Sequence, residues 1–275
     1  MLQLLLLASL WIGAPVAEDP EGPPPPAPEL VEAAEEALEA AFDDGKAPER
    51  IAAIEEHGGV HAPEVLRWLE KGLKDKELTV KAAAVEALRW FPDEKALKAL
   101  HRVALKDKAL RDDGALFAAT LKAIGQHGDP ASIEVLLDGA LASNPKEVGV
   151  ARIYALGHIR DAASVEELFS LMQKTGRTRG PKGRGGAVQP LMKEFAISLH
   201  VLTGEEFGES EKKWTAWWKE HGKRFEVSEE AVGLDPKVRR FWERYWANPK
   251  DKAEEEEEGG RRRRRRGGDD PEDGA

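Results

Sequence analysis

The chain has 275 residues, of which 41% are hydrophobic and 33% are charged, and its formal net charge is −10. This length and apolar content suffice for one or two domains with a sizeable core. The sequence contains no cysteine, which excludes disulfide bonds, thiolate metal sites and a cysteine nucleophile.

The negative charge is concentrated near the two ends of the chain. Residues 18–45 carry ten acids and no base, and residues 254–275 carry nine acids and six arginines. The intervening residues 46–253 therefore have a net charge of +3. Because an acidic whole chain can contain a basic body, the overall charge leaves the binding of anionic polymers open.

The N-terminus has the composition of a secretory signal peptide. Residues 2–12 form an apolar run, and Ala-Pro-Val-Ala follows at residues 14–17. We therefore predict that residues 1–17 are a signal peptide cleaved after Ala17, which places the mature protein in the periplasm, in the cell envelope or outside the cell. No Lys or Arg precedes the apolar run, so a signal anchor or a mis-chosen start codon is the alternative.

Two further elements precede the main body. Residues 18–28 contain four consecutive prolines, which favour an extended linker. Residues 29–46 place apolar side chains on one helix face and acids on the other. This pattern predicts an N-terminal helix that caps the body and presents its charged face to water.

The body contains an internal repeat. Each copy is a helix-period segment with alanines at positions where two helices approach closely, and it ends at an aliphatic marker residue. The markers are 34, 36, 32 and 43 residues apart: Ile54, Leu88, Ile124, Leu156 and Leu199. A second predicted helix follows each marker, at residues 63–73, 94–105, 131–141, 165–173 and 211–221.

Helix-start signals support two of these second helices. Asp129 followed by Pro130 is typical of an N-cap and a first helical residue, and Ser164 with Glu167 has the spacing of a capping box. Helix pairs with a period of 30–40 residues predict an all-α fold, an α-solenoid in which about five pairs stack.

One copy of the repeat resembles a known family. The HEAT-like repeat, including its phycobilin-lyase type, has matching residue types at these positions: Asp75, Val80, Lys81, Ala84, Ala87 and Leu88. Its closing Ala-Leu-Gly is similar to residues 123–125 and 155–157. The resemblance covers residues 47–221 and implies a right-handed superhelix. It says little about function, since such repeats occur in scaffolds and in lyase subunits.

The C-terminal part of the body is aromatic, with five of the eight tryptophans between residues 214 and 246. We predict that residues 222–248 form a Trp-rich cap that seals the end of the solenoid. The alternative is that the tryptophans form an aromatic recognition surface for a peptide or a glycan. The string around residues 202–218 also resembles the closing repeats of exported bacterial HEAT-repeat proteins. Residues 249–275 are of low complexity and are predicted to be a disordered, charged tail.

A basic segment interrupts the repeats at residues 174–186, which contain five bases, five glycines and no acid. Long insertions in repeat proteins often emerge on the binding face. We therefore predict that partner contacts are made by Arg177, Arg179, Lys182 and Arg184, and by Trp217 and Trp242 if these two rings are exposed. A solvated loop without a ligand is the alternative, as is attraction of the acidic N-terminal segment to these bases.

Candidate catalytic chemistry is sparse. The chain has neither a Gly-x-Ser-x-Gly nor a His-Glu-x-x-His motif, and its seven histidines have no metal-ligand spacing. We predict no enzyme activity, no cofactor and no metal site. An enzyme accessory role, such as that of a bilin-lyase-like protein or a HEAT-repeat DNA glycosylase, is the weakest alternative.

The sequence therefore predicts an exported, non-enzymatic HEAT-like solenoid that presents an extended surface to a protein partner. The alternative function is binding of a nucleic acid or another polyanion through residues 174–186 and the arginine run at 261–266. Acids at 254–258 and 269–273 flank that run within a Debye length, which favours self-neutralisation.

Overall fold

The computed structural model describes residues 24–142, 144–177, 191–228 and 233–249. Within these ranges the regular secondary structure is helical, with two short 3-10 turns and no strand. The predicted signal peptide at 1–17 lies outside the described residues. The same holds for residues 18–23 of the predicted linker and residues 250–275 of the predicted tail.

The helices of the described residues follow the predicted order of pairs. Their bounds are α1 Pro28–Asp43, α2 Ala47–His57, α3 Pro63–Gly72, α4 Leu78–Arg89, α5 Glu94–Lys106, α6 Lys108–Asp112, α7 Gly114–Gln126, α8 Ile133–Leu137, α9 Lys146–His158, α10 Ala162–Arg177, α11 Met192–Thr203, α12 Glu211–His221 and α13 Pro236–Trp246.

The packing order of the helices confirms the predicted all-α solenoid. The first helices of the five pairs, α2, α4, α7, α9 and α11, form one layer in which each helix contacts the next. The second helices α3, α5, α8, α10 and α12 form the other layer, where α3, α5 and α8 contact in series and α10 contacts α12. Each pair covers the apolar stripe of its neighbour, so one core runs along the stack.

Glycines allow neighbouring first helices to approach closely. A Cβ atom at Gly157 of α9 would lie 2.5 Å from Ser198 Cβ on α11. A Cβ atom at Gly125 of α7 would lie 2.6 Å from Ala155 Cβ on α9. These two glycines close the repeat strings at 123–125 and 155–157, so the family resemblance at these positions reflects contact between adjacent repeats.

Ion pairs connect the helices of one repeat to the segments that lead into the next helices. Arg50 Nε on α2 lies 2.8 Å from an oxygen of Asp75, which precedes α4. Lys81 on α4 is buried and pairs with Asp107, which precedes α6. Partly buried pairs of this kind favour one register between elements, because removal of one partner leaves the other charge without compensation.

The N-terminal helix packs on the first repeat. Ala34 and Leu38 of α1 are fully buried, and α1 contacts both α2 and α3. The acids of α1 pair with bases of α3: Glu35 with Arg67, and Asp43 with Lys71.

The second helix of the third pair is shorter than predicted. Instead of a helix over residues 131–141, a 3-10 turn is followed by α8, which ends at Leu137. The physical reason is a side chain from the next repeat: buried Arg152 of α9 donates to the carbonyl oxygens of Leu136 and Asp138. A guanidinium that satisfies these carbonyls allows the chain to leave the helix there.

The predicted caps have different outcomes. Asp129 caps its turn as predicted, because its carboxylate accepts a 2.8 Å hydrogen bond from Ala131 N. The prediction of a capping box at Ser164 is wrong. Helix α10 begins at Ala162, three residues before the predicted start at residue 165, and Asp161 accepts from Ala163 N at 2.7 Å. The Ser164 hydroxyl is instead buried inside the helix.

Candidate binding surfaces

The basic segment predicted to contact a partner falls almost entirely outside the described residues. Arg177 is the last residue of α10, and its side chain is not described. Arg179, Lys182 and Arg184 lie outside the described residues. Their role in binding stays a prediction.

The tryptophans of α12 belong to an aromatic cluster on the last helix pair. Trp214 is fully buried and donates from Nε1 to the Gly208 carbonyl at 2.8 Å. The Trp218 ring stacks on Phe169 of α10 at 4.7 Å. Trp217, one of the predicted contact residues, is half-buried in the same cluster and stacks at 5.1 Å on His221. These rings cover the apolar face of α10.

Helix α13 does not continue the end of the stack but crosses the layer of first helices. At its start, Asp235 N approaches His200 of α11 at 3.4 Å. In its middle, the rings of Phe241 and Trp242 lie 5.6 and 5.7 Å from Tyr154 of α9. Trp242 is only 8% exposed, so the exposure required of this predicted contact residue is not met.

The end of α13 is anchored between α4, α7 and α9. The Trp246 ring stacks at 4.1 Å on His158 of α9 and lies beside Gly125 of α7. The buried guanidinium of Arg89 on α4 donates to the Trp246 carbonyl at 3.1 Å and to Gln126 Oε1 at 2.9 Å. We call the surface of α4, α7, α9 and α11 beneath α13 the first-helix face. Large rings and one buried cation attach α13 to this face.

The outer side of α13 is basic. Its exposed cations at spacings of three and four residues, Lys237, Arg240 and Arg244, line a concavity of about 450 Å³. The helix therefore has an aromatic side that faces the repeats and a cationic side that faces solvent.

The anchoring of α13 is predicted to depend on pH through His158. Burial, with a smaller contribution from the positive charge of Arg89, lowers the pKa of His158 from 6.5 to about 4. When α13 is released, the pKa of His158 returns toward 6.5. Between pH 6.5 and 4 the released state therefore binds more protons than the docked state. Docking of α13 weakens as the pH falls through this window, whereas above pH 6.5 His158 has no effect on docking.

Hydrogen exchange tests this pH dependence. Protection factors of the α13 amides, which correct for the intrinsic pH dependence of exchange, should fall between pH 7 and pH 5. A His158→Phe variant keeps a ring against Trp246 but cannot titrate, so its protection should stay constant. Exposed His221→Phe is the matched control and should behave as the wild type. Equal losses of protection in wild type and His158→Phe would contradict the assignment.

A different surface lies on the layer of second helices. We call it the α3–α5 groove; it has a volume of about 400 Å³ and lies between the C-terminal halves of α3 and α5. Leu73, Ala99 and Val103 contribute apolar atoms to it, and Lys74, Arg102 and Lys106 contribute cations. This groove is not among the sites predicted from the sequence. The signal in the sequence is the four-residue spacing of Arg102 and Lys106 at the end of the predicted helix 94–105, which places both bases on one helix face.

A comparison with known families finds a match over the first part of the stack. A family model described as HEAT repeats matches residues 34–117, which extend from α1 to the beginning of α7. Residues 34–117 of the chain are similar to HEAT repeats. No curated protein matches it. The HEAT-like resemblance is thus confirmed for the first part of the predicted range, and the HEAT match also takes in most of α1.

HEAT repeats are commonly interaction scaffolds, and the family is typically non-enzymatic. In the described residues of this chain, no helix combines the length and the apolar character needed to cross a bilayer. Over the same ranges, no three His, Asp or Glu residues are grouped as a metal site requires.

Proposed function

We propose that this protein is a non-enzymatic HEAT-repeat scaffold that binds a protein partner on the exposed layer of its second helices. The observation that carries the proposal is the position of α13. This helix crosses the layer of first helices from α11 to α4 and interrupts it, although a concavity of about 430 Å³ between α7 and α9 stays open beside Tyr245. The longer surface open to a large partner is the layer formed by α3, α5, α8 and α10. Extended surfaces of this kind are what solenoid proteins use for recognition.

Site-specific photo-crosslinking tests the proposal. A photoreactive phenylalanine analogue is placed at exposed second-helix positions, Lys98, Glu134 and Glu166, and at exposed Arg239 of α13 as the control. In the native cell fraction, partner adducts identified by mass spectrometry should form at the second-helix positions and not at the control. Adducts confined to Arg239 would contradict the assignment of the face, and a lack of adducts at all four positions would contradict the scaffold function.

A second candidate function is the binding of a polyanion. The specific observation in its favour is the basic concavity of Lys237, Arg240 and Arg244 on α13, which is followed in sequence by the arginine run at 261–266. Filter binding to duplex DNA should then weaken steeply as salt increases, because each neutralised phosphate releases counterions. No retention at low salt, or retention that Lys237→Glu/Arg240→Glu does not reduce, would dismiss this function.

Export of the protein is also proposed, on the composition of residues 1–17. The expected result is that the mature protein, isolated from its source, begins at Glu18. An intact N-terminus in a cytoplasmic fraction would contradict it.

A further inference from the structure

The α3–α5 groove combines an apolar floor with an unbalanced positive rim. Leu73, Ala99 and Val103 line the floor, and Val103 is its partly exposed member. A second concavity of about 300 Å³ along α3 shares Glu70 and Lys74 with the groove. Single exposed apolar residues are ordinary on protein surfaces, whereas a continuous apolar depression with charged edges is typical of a protein-binding site.

The cations of the rim differ in whether they are paired. Arg67 and Lys71, on the side that faces α1, form ion pairs with Glu35 and Asp43. On the groove side, Lys74, Arg102 and Lys106 form no ion pair with any described residue.

The acids in and near the groove do not balance its cations. Glu70 lines the groove, but Asp107 is engaged by buried Lys81 and Asp112 by Lys108. The groove therefore has a net positive charge that the described residues leave uncompensated, and carboxylates are the complementary ligands.

The other side of α3 shows what kind of segment binds a surface of this composition. Helix α1 is amphipathic, with seven acids and no base in residues 28–45. It buries Ala34 and Leu38 while Glu35 and Asp43 pair with the bases of α3. The α3–α5 groove offers the same two features, apolar atoms flanked by cations, on the side of α3 that α1 leaves open.

We infer that the α3–α5 groove binds an acidic amphipathic helix of the partner protein, through apolar contacts with its floor and ion pairs with Lys74, Arg102 and Lys106. This inference rests on the proposed scaffold function and specifies where the partner binds and what chemistry it presents. A helix that lies in such a groove is recognised by apolar side chains at spacings of three and four residues, with acids on either side of that stripe.

A model ligand for the test is available in the chain itself. A fluorescent synthetic peptide of residues 28–45 is titrated with the full-length mature protein, and binding is followed by anisotropy. The triple variant Lys74→Glu/Arg102→Glu/Lys106→Glu should lower the affinity at least tenfold. The control is Lys212→Glu/Lys213→Glu/Lys219→Glu on exposed positions of α12. It changes the net charge by the same amount and should alter the affinity for the peptide less than twofold.

Two further comparisons distinguish the contribution of the apolar floor to binding from that of the cationic rim. Val103→Gln, which changes no charge, should weaken binding about fivefold. An 18-residue polyglutamate peptide, which lacks apolar side chains, should bind at least tenfold more weakly than the peptide of residues 28–45. Equal affinity for both peptides would overturn the inference, because charge alone would then explain binding.

The remaining outcomes are also decisive. Lack of peptide binding at low salt, or equal losses in the two triple variants, would overturn the inference. A third contradictory outcome is peptide binding that appears only after residues 254–258 are replaced by glutamine in the full-length protein. In that case the chain's own acidic run, and not a partner helix, would occupy the groove. Crosslinking at Glu134 and Glu166 would still support the scaffold function in each case, so the two proposals fail separately.

Discussion

Gly157→Ala is expected to destabilise the fold by about 3 kcal/mol, at the upper end of the cost of overpacking a core. The new Cβ atom would lie 2.5 Å from both Cβ and Oγ of Ser198 and 3.0 Å from its Cα. Because backbone atoms are among these neighbours, α9 and α11 must separate, and a change of rotamer cannot relieve the clash.

Urea denaturation followed by circular dichroism measures this effect. Gly59→Ala is the matched control, since a Cβ atom there would have no neighbour within 4 Å, and its expected change is below 0.5 kcal/mol. Equal stability of the two variants would show that the first helices are not in close contact at Gly157.

Arg152→Met is expected to destabilise the protein by about 2 kcal/mol. The substitution keeps most of the side-chain volume but removes the donor to the carbonyl oxygens of Leu136 and Asp138, and unsatisfied buried acceptors are costly. The substitution also removes the free-energy cost of burying a cation, which offsets part of this loss. That cost is evident in the pKa of Arg152, which burial lowers to about 10.

The control for Arg152 is Arg239→Met, at an exposed position of α13. It should change the free energy of unfolding by less than 0.5 kcal/mol in the same urea experiment. A larger loss for Arg239→Met than for Arg152→Met would contradict the role assigned to the buried guanidinium.

The sequence predicted the helix pairs because each helix carries its own periodic apolar stripe. The helix at 211–221 has the predicted bounds, and the other first and second helices, except α8, lie where the markers place them. The five-residue helix α6 was missed because so short a segment has no measurable period. The end of α8 was missed because Arg152, which belongs to the next repeat, determines it.

The position of α13 was not predictable for a different reason. The spacing of Phe241, Trp242, Tyr245 and Trp246 shows that one side of this helix is buried, but periodicity does not show what covers it. The partner surface includes Tyr154 and His158, which the sequence presents only as parts of another repeat. The α3–α5 groove is likewise formed by two helices that are distant in sequence, so only their packing brings its cations together.

The crossing of α13 over four first helices has a consequence for how the molecule unfolds. In a stack whose units touch only their neighbours, terminal units fray independently and stability is nearly a sum of local contributions. Here the hydrogen bond from Arg89 to Trp246 joins residues 157 positions apart. The chain after the last repeat thereby connects the second repeat to the fourth, so we expect these units to unfold in one cooperative transition.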